Sequence, residues 1–220
     1  MNILVLGDSL SFGRPKHNIF PENTWPFILE KKITGRMVLR SRGGADVFYL
    51  CSDLSQLRHY YPNMYFDITI VQVGIVDVTP RLLTKRMRKI IGLFLFLKNL
   101  IVVASRNKKI VENFGRPDNS ESKFKEGIES LSSLLKDLSK NVIYLSILQP
   151  TGFLLDNCGD FSGQVNLYNQ ALKRVVGGDY LDLHESFDYT KFILRDGYHL
   201  NTFGHMHVAN LISKKVSATC

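Results

Sequence analysis

Two short blocks near opposite ends of the 220-residue chain hold the residue types that nucleophilic acyl chemistry needs. Gly7-Asp8-Ser9-Leu10 follows the first apolar run, and Asp196-Gly197-Tyr198-His199-Leu200-Asn201 lies close to the carboxyl terminus. A serine hydroxyl is a poor nucleophile at its free pKa, so a base must take its proton. His199 is the candidate base. Its imidazole needs an acceptor at Nδ1 that fixes the tautomer and stabilises the imidazolium. Asp196, three residues earlier, can reach back across one tight turn. Each residue also has a plainer reading. Asp8 and Ser9 are residue types favoured at helix caps, and His199 is also read as a buried, hydrogen-bonded core histidine.

The elements that must position these residues are legible as alternating periodicities. Asn2 to Leu6 is a short Leu- and β-branched run ending in Gly-Asp-Ser, the pattern of a buried strand entering a turn. Further strands are expected at Arg36–Leu39, Asp67–Val73, Asn141–Ile147 and Tyr180–Leu183. Helices are expected at Thr24–Ile33, Ala45–Leu57, Lys123–Leu138, Val165–Val176 and Thr202–Lys215. Strands alternating with helices imply right-handed βαβ units, a five-stranded parallel sheet and helices on both faces, an α/β/α sandwich. Such sheets place function at the carboxyl ends of their strands. Three of those ends carry Gly with polar or turn residues: Gly7-Asp8-Ser9, Arg42-Gly43-Gly44-Ala45-Asp46 and Gly74-Ile75-Val76-Asp77. There is no internal repeat, and residues 1–220 read as one domain. The stretch Arg106 to Ser122, with its RPDNSES string, reads as an exposed loop.

Composition bounds the partners. The chain is 45% hydrophobic and 22% charged, ordinary for a globular protein, and its net charge of +8 excludes an acidic disordered tail. From Val78 to Val111 there are nine basic residues and no acidic one; removing those nine from the 28 basic residues leaves 19 against 20 acidic, so the remaining frame is near neutral. This basic and apolar segment, at about 78–122, reads as an insertion. It suits a cap over the site, a packing surface, or an in-plane contact with an anionic membrane face through residues 81–109. No nucleic-acid motif accompanies the charge, so no nucleic-acid partner is expected. Cys51, Cys158 and Cys220 match no metal spacing and suggest free thiols in a reducing compartment. His205 and His207 are two apart in a helix and face different sides, so no metal is expected, and no cofactor either. No leader or spanning segment is recognisable, and the expectation is a cytoplasmic protein, peripheral at most to the inner membrane face.

The order GDSL at the amino terminus, a Gly after the second strand, Gly-x-x-Asp after the third and Asp-x-x-His near the end resembles the SGNH (GDSL) hydrolase superfamily over nearly the whole chain. The resemblance implies a flavodoxin-like sandwich and acyl-ester chemistry, with Ser9 as nucleophile, His199 as base and Asp196 as its orienter. It also implies that the backbone N–H groups of Ser9 and Gly44 hold the oxyanion. The family's third block is Gly-x-Asn-Asp, whose Asn donates a further oxyanion hydrogen bond; the matching residue here is Val76, which donates nothing. Gln72, Asn107 and Arg81 are substitutes by residue type. The string Gly74-Ile75-Val76-Asp77-Val78-Thr79-Pro80-Arg81 further resembles a branch from bacterial surface-polysaccharide gene clusters, in which Val76 would be normal. Gln72, Asp77 and Arg81 are the substrate-binding candidates; Asp77 and Arg81 suit a loop-fixing ion pair equally well. The function expected is a serine-dependent carbohydrate O-acetyl esterase acting on an acylated carbohydrate or a small lipid-linked substrate. Alternatives with the same three residues are an acyltransferase to a sugar hydroxyl or amine, and a lipase or thioesterase. A non-catalytic sugar-binding protein on the same frame is the alternative of a different class, with the Val76 substitution as its support.

Overall fold

A computed structural model describes residues 1–84, 87, 103–105 and 107–219. Five strands form one sheet: β1 (Asn2–Gly7), β2 (Arg36–Ser41), β3 (Phe66–Gln72), β4 (Ser139–Leu145) and β5 (Tyr180–Leu181). Their order is β2-β1-β3-β4-β5 and every pairing is parallel. The chain leaves β1 on one side toward β2 and returns on the other toward β3. That reversal opens a crevice beyond the carboxyl ends of β1 and β3, the place where such sheets bind ligands.

A parallel sheet covered on both faces needs strands that are apolar on both sides, and these are. Leu4 and Leu6 of β1 point into one core, Ile3 and Val5 into the other, and all four are at most 1% exposed. The first core is closed by α2 (Val47–Tyr60), α5 (Glu121–Lys136) and α7 (Ser162–Val176). The second is closed by α1 (Trp25–Lys32) and α9 (Thr202–Thr219). In α5, Phe124, Ile128, Leu131 and Leu135 recur at helical spacing and all are fully buried. Between these lie α3 (Ile75–Val78), α4 (Lys108–Phe114), α6 (Gly152–Cys158) and α8 (Tyr189–Phe192). Among the described residues no helix is long and apolar enough to cross a membrane.

The expected strands and long helices appear within a few residues of their expected bounds. The stretch Arg106–Ser122 differs. Instead of an exposed loop it contains α4, capped by Asn107 through Ile110 N–H, and the buried side chains of Asp118 and Asn119. The polar string concealed this, because its polar groups bond inward. The expected insertion at 78–122 is described only in part: residues 85, 86, 88–102 and 106, which hold most of its basic side chains, lie outside the described residues. Cys51 and Cys158 are free thiols, both half-buried; burial pushes the Cys51 thiol up to about 11.

Trp25, the single tryptophan, is fully buried between α1 and the sheet, and its indole N–H donates to Gln72 Oε1 at 2.9 Å. A buried indole N–H without an acceptor costs about 1–3 kcal/mol. Gln72→Leu is therefore expected to lower the stability of the chain by about that amount, read from urea unfolding followed by Trp25 fluorescence. An unchanged midpoint would show that the bond contributes nothing.

Candidate active site

The loop that leaves β1 turns at once. Asp8, fully buried, caps the short 3-10 turn Ser9–Ser11 by accepting Leu10 N–H on Oδ1 at 2.9 Å. Ser11 Oγ donates back to the Asp8 carbonyl at 2.9 Å and meets Ser41 Oγ at 3.0 Å. These bonds tie the turn to the ends of β1 and β2 and set the Ser9 side chain at the crevice. Ser9 thus lies one place inside the cap, and the capping reading belongs to Asp8.

The second block is a turn between α8 and α9. Leu194 N–H donates to the His199 carbonyl at 2.7 Å, and Gly197 N–H to the Leu194 carbonyl at 3.0 Å. Gly197 takes φ +90, and a Cβ there would fall 1.9 Å from the Thr151 carbonyl oxygen, so only glycine fits. Thr151 pins the turn in return: its N–H donates to the Gly197 carbonyl at 2.8 Å. Asn201 then caps α9 through Gly204 N–H at 3.0 Å.

The two turns bring three side chains into line. Ser9 Oγ lies 2.9 Å from His199 Nε2, and His199 Nδ1 lies 2.7 Å from Asp196 Oδ2. Asp196 Oδ1 also accepts the N–H groups of Tyr198 at 3.3 Å and His199 at 3.0 Å. With Nδ1–H given to the carboxylate, the Nε2 lone pair faces Ser9. Burial works to raise the Asp196 carboxyl, but the imidazole hydrogen bond, the backbone N–H groups and the imidazole charge outweigh it and hold the group at about 2. His199 is 2% exposed; burial lowers its pKa, Asp196 opposes this, and Arg14 and His17 add to the lowering. The imidazole is therefore neutral at neutral pH and able to accept a proton.

On the facing side Gly44 takes φ +74, with open space where a Cβ would be. Among the described residues no hydrogen bond engages the N–H of Ser9 or Gly44. Val76 is 7% exposed and belongs to the hydrophobic core, so hydrocarbon fills its position. Each of the three substitutes named by residue type makes a bond elsewhere. Asn107 caps α4. Gln72 accepts from Trp25 and is 3% exposed. Arg81 pairs its guanidinium with Asp118, Nε to Oδ2 at 3.4 Å, and its backbone with Arg116.

Of the substrate-binding candidates, Gln72 and Asp77 do not fit a substrate contact as placed. Asp77 is fully buried; Asn119 Nδ2 donates to its Oδ1 at 2.6 Å and Val47 N–H at 3.3 Å. It holds the start of α2 behind the crevice. The ion pair weighed for Asp77 and Arg81 forms instead between Arg81 and Asp118. Asp118 and Asn119 thus clamp both residues, and Tyr168 OH donates to the Asn119 carbonyl. The Asp-Asn pair within RPDNSES was the only sequence signal for this clamp. Arg14 was missed as well: its guanidinium Nη2 donates to His199 Nε2.

Asp8 and Asp77 carry an unusual cost. Among the described residues each leaves its Oδ2 buried without a hydrogen-bond partner, and burial pushes both carboxyls up to about 7. For Asp8 the Leu10 N–H and Arg14 oppose the rise; for Asp77, Asn119 and Val47 N–H oppose it while the Asp8 and Asp118 charges add to it. A carboxyl whose pKa is higher in the folded state binds its proton more tightly there. Its contribution to stability is complete below the unfolded value of 3.8 and is lost as pH rises through about 7. Asp8→Asn, which keeps the Leu10 cap, is expected to make the fall in stability between pH 5 and 8 shallower than in the wild type. Parallel stability curves for the two proteins would contradict the shift.

The fold has clear counterparts among solved structures. The lipase/acylhydrolase from Enterococcus faecalis matches with TM-score 0.67 and 14% identity over 100% of this chain and 97% of that one. An acetylxylan esterase from Geobacillus stearothermophilus matches with TM-score 0.62 and 15% identity over 98% and 93%. The psychrotrophic esterase from Pseudoalteromonas sp. matches with TM-score 0.63 and 12% identity over 99% and 97%. No protein-family model matches the chain. No curated protein matches it either. At these identities the shared property is architectural, and the chain has the α/β/α fold of the SGNH (GDSL) esterases and acylhydrolases.

Proposed function

We propose that the chain is a serine-dependent acyl-ester hydrolase whose substrate is an O-acetylated carbohydrate of surface-polysaccharide metabolism. The observation that carries the reading is the continuous hydrogen-bonded line Ser9–His199–Asp196 at the mouth of the crevice. Structural counterparts named as acetylxylan esterases support the carbohydrate ester.

In the first half-reaction Ser9 Oγ passes its proton to His199 Nε2 and bonds to the ester carbonyl carbon, whose electron pair moves onto oxygen. The tetrahedral centre collapses, the alcohol leaves, and Nε2 returns the proton to the alcohol oxygen. Water then attacks the acyl-serine while Nε2 takes its proton, and collapse restores Ser9. Asp196 keeps Nδ1 protonated and balances the transient imidazolium. The oxyanion is met by the N–H groups of Ser9 and Gly44. Val76 adds no third donor, and one such donor is worth about 10²–10³ in rate.

Ser9→Ala is expected to abolish turnover of acetylated sugars and of small acetate esters, and an organophosphonate is expected to add covalently to Ser9 in the wild type alone. Asp196→Asn is expected to lower kcat by on the order of 10⁴, because the wrong tautomer then faces Ser9. Since burial lowers the His199 pKa, the midpoint of the acid limb of kcat/KM should lie below the ordinary histidine value of 6.5. Undiminished ester turnover in Ser9→Ala would refute the reading.

A further inference from the structure

Arg14 is placed as few arginines are. Its backbone is locked by a six-residue loop closed on Ile19: Arg14 N–H donates to the Ile19 carbonyl at 2.6 Å, and Ile19 N–H returns to the Arg14 carbonyl at 3.2 Å. Pro15 starts a 3-10 turn within the loop, and Ile19 is buried beneath it. From this base the guanidinium reaches the reacting pair, where Nη2 donates to His199 Nε2. Its Nε is buried with no hydrogen-bond partner, and among the described residues no carboxylate forms an ion pair with it. Asp8 lies within electrostatic reach and offsets part of the charge, but among the described residues it makes no ion pair with the guanidinium, and His199, His205 and Tyr198, also within reach, are neutral at neutral pH.

Two consequences follow from this placement. Nε2 has one lone pair, and two donors are aimed at it, Ser9 Oγ–H and Arg14 Nη2–H. Both cannot hold it at full strength, so Arg14 competes with Ser9 for the base until something else takes the guanidinium. The second consequence concerns position. Nε2 hands its proton to the departing alcohol oxygen, so a group beside Nε2 faces the alcohol part of the ester rather than the acyl part. A half-buried guanidinium with no ion-pair partner among the described residues favours an anion, and its planar fork matches the paired oxygens of a carboxylate or phosphate.

We propose that Arg14 sets the specificity of this centre, by binding a carboxylate or phosphate carried on the alcohol side of the ester. This rests on the hydrolase reading above. Binding the anion draws the guanidinium off Nε2 and gives the lone pair to Ser9, so an anionic ester frees the base more fully than a neutral one. Arg81 belongs to the same neighbourhood, since its charge and that of Arg14 both act on Tyr198, whose ring lies 3.8 Å from that of His199. Arg81 is already paired with Asp118, which leaves Arg14 as the residue that meets the substrate anion.

Two esters with the same acyl group test this: 3-acetoxybenzoate and its uncharged amide, 3-acetoxybenzamide. The wild type is expected to prefer the charged ester in kcat/KM by roughly tenfold or more, the worth of one charge-assisted hydrogen bond. Arg14→Gln should bring the ratio to about one, through KM as the anion contact is lost and through kcat as the competing donor is removed, and Arg14→Lys should keep part of it. An equal ratio in wild type and Arg14→Gln, with both proteins melting alike, would overturn the proposal. A binding measurement separates this from the hydrolase reading. In full-length Ser9→Ala, calorimetry should show 3-hydroxybenzoate binding more tightly than 3-hydroxybenzamide, with the difference lost in Ser9→Ala/Arg14→Gln. That result without ester turnover in the wild type would keep the anion site and reject the hydrolase. Equal binding of the two probes would reject the anion site even if esters are cleaved.

Discussion

The imidazole of His199 is held between Asp196 Oδ2 at 2.7 Å and Ser9 Oγ at 2.9 Å, and the second bond joins residues 190 apart in sequence. The rest of the architecture is what makes that meeting possible. β1 must end where the sheet reverses direction, so that the turn after it opens on the crevice. The turn before α9 must be held over the same place, and Thr151, just beyond β4, holds it through the Gly197 carbonyl. Asp196 then needs no distant support, since one tight turn gives it both the imidazole and two backbone N–H groups. The base is thus oriented locally while the nucleophile is delivered from the other end of the chain.

That delivery carries a cost in the layer beneath. Asp8 caps the nucleophile turn and Asp77 holds the start of α2, and each is fully buried with one oxygen unpartnered. An apolar residue at either place would fill space but could not accept the N–H of Leu10 or Val47. The carboxyls are kept because a turn end and a helix end both present orphan donors. Their raised pKa is the price of meeting those donors in a dry core. A site whose geometry depends on strained or poorly compensated groups is a common outcome where function and stability compete.

Much of this was legible from residue types alone. The five strands and the long helices announced themselves because parallel strands buried on both faces are continuous apolar runs, and amphipathic helices repeat at 3.6 residues. Ser9, Asp196 and His199 were legible because they lie in two compact blocks where chain turns are unmistakable. What failed to show were residues whose role depends on where a neighbour's polar group points. Asp118 and Asn119 look like solvated loop residues, yet they clamp Arg81 and Asp77. Gln72 looks like a spare donor at a strand end, yet its oxygen serves Trp25, 47 positions away. Arg14 sits in an undistinguished RPKHN stretch, and only the loop closed on Ile19 brings it to His199. Periodicity encodes faces, whereas pairing of polar groups across the fold has no period to read.

The charge pattern takes on a different meaning once pairing is known. Net charge of +8 is carried mainly by one basic segment, and counting charges would make Arg81 and Arg14 equivalent neighbours of the site. They are not equivalent. Arg81 is paired with a carboxylate that is 2% exposed, so its charge is largely spent on fixing its own loop. Among the described residues Arg14 has no such partner, and its Nε is buried away from the water that would otherwise screen it. A cation beside a neutral imidazole makes protonation of that imidazole harder, which works against catalysis unless the reaction itself brings a negative charge. The oxyanion supplies part of that charge on one side of Ser9. A negative group on the departing alcohol would supply it on the other, next to Nε2, where the guanidinium already waits.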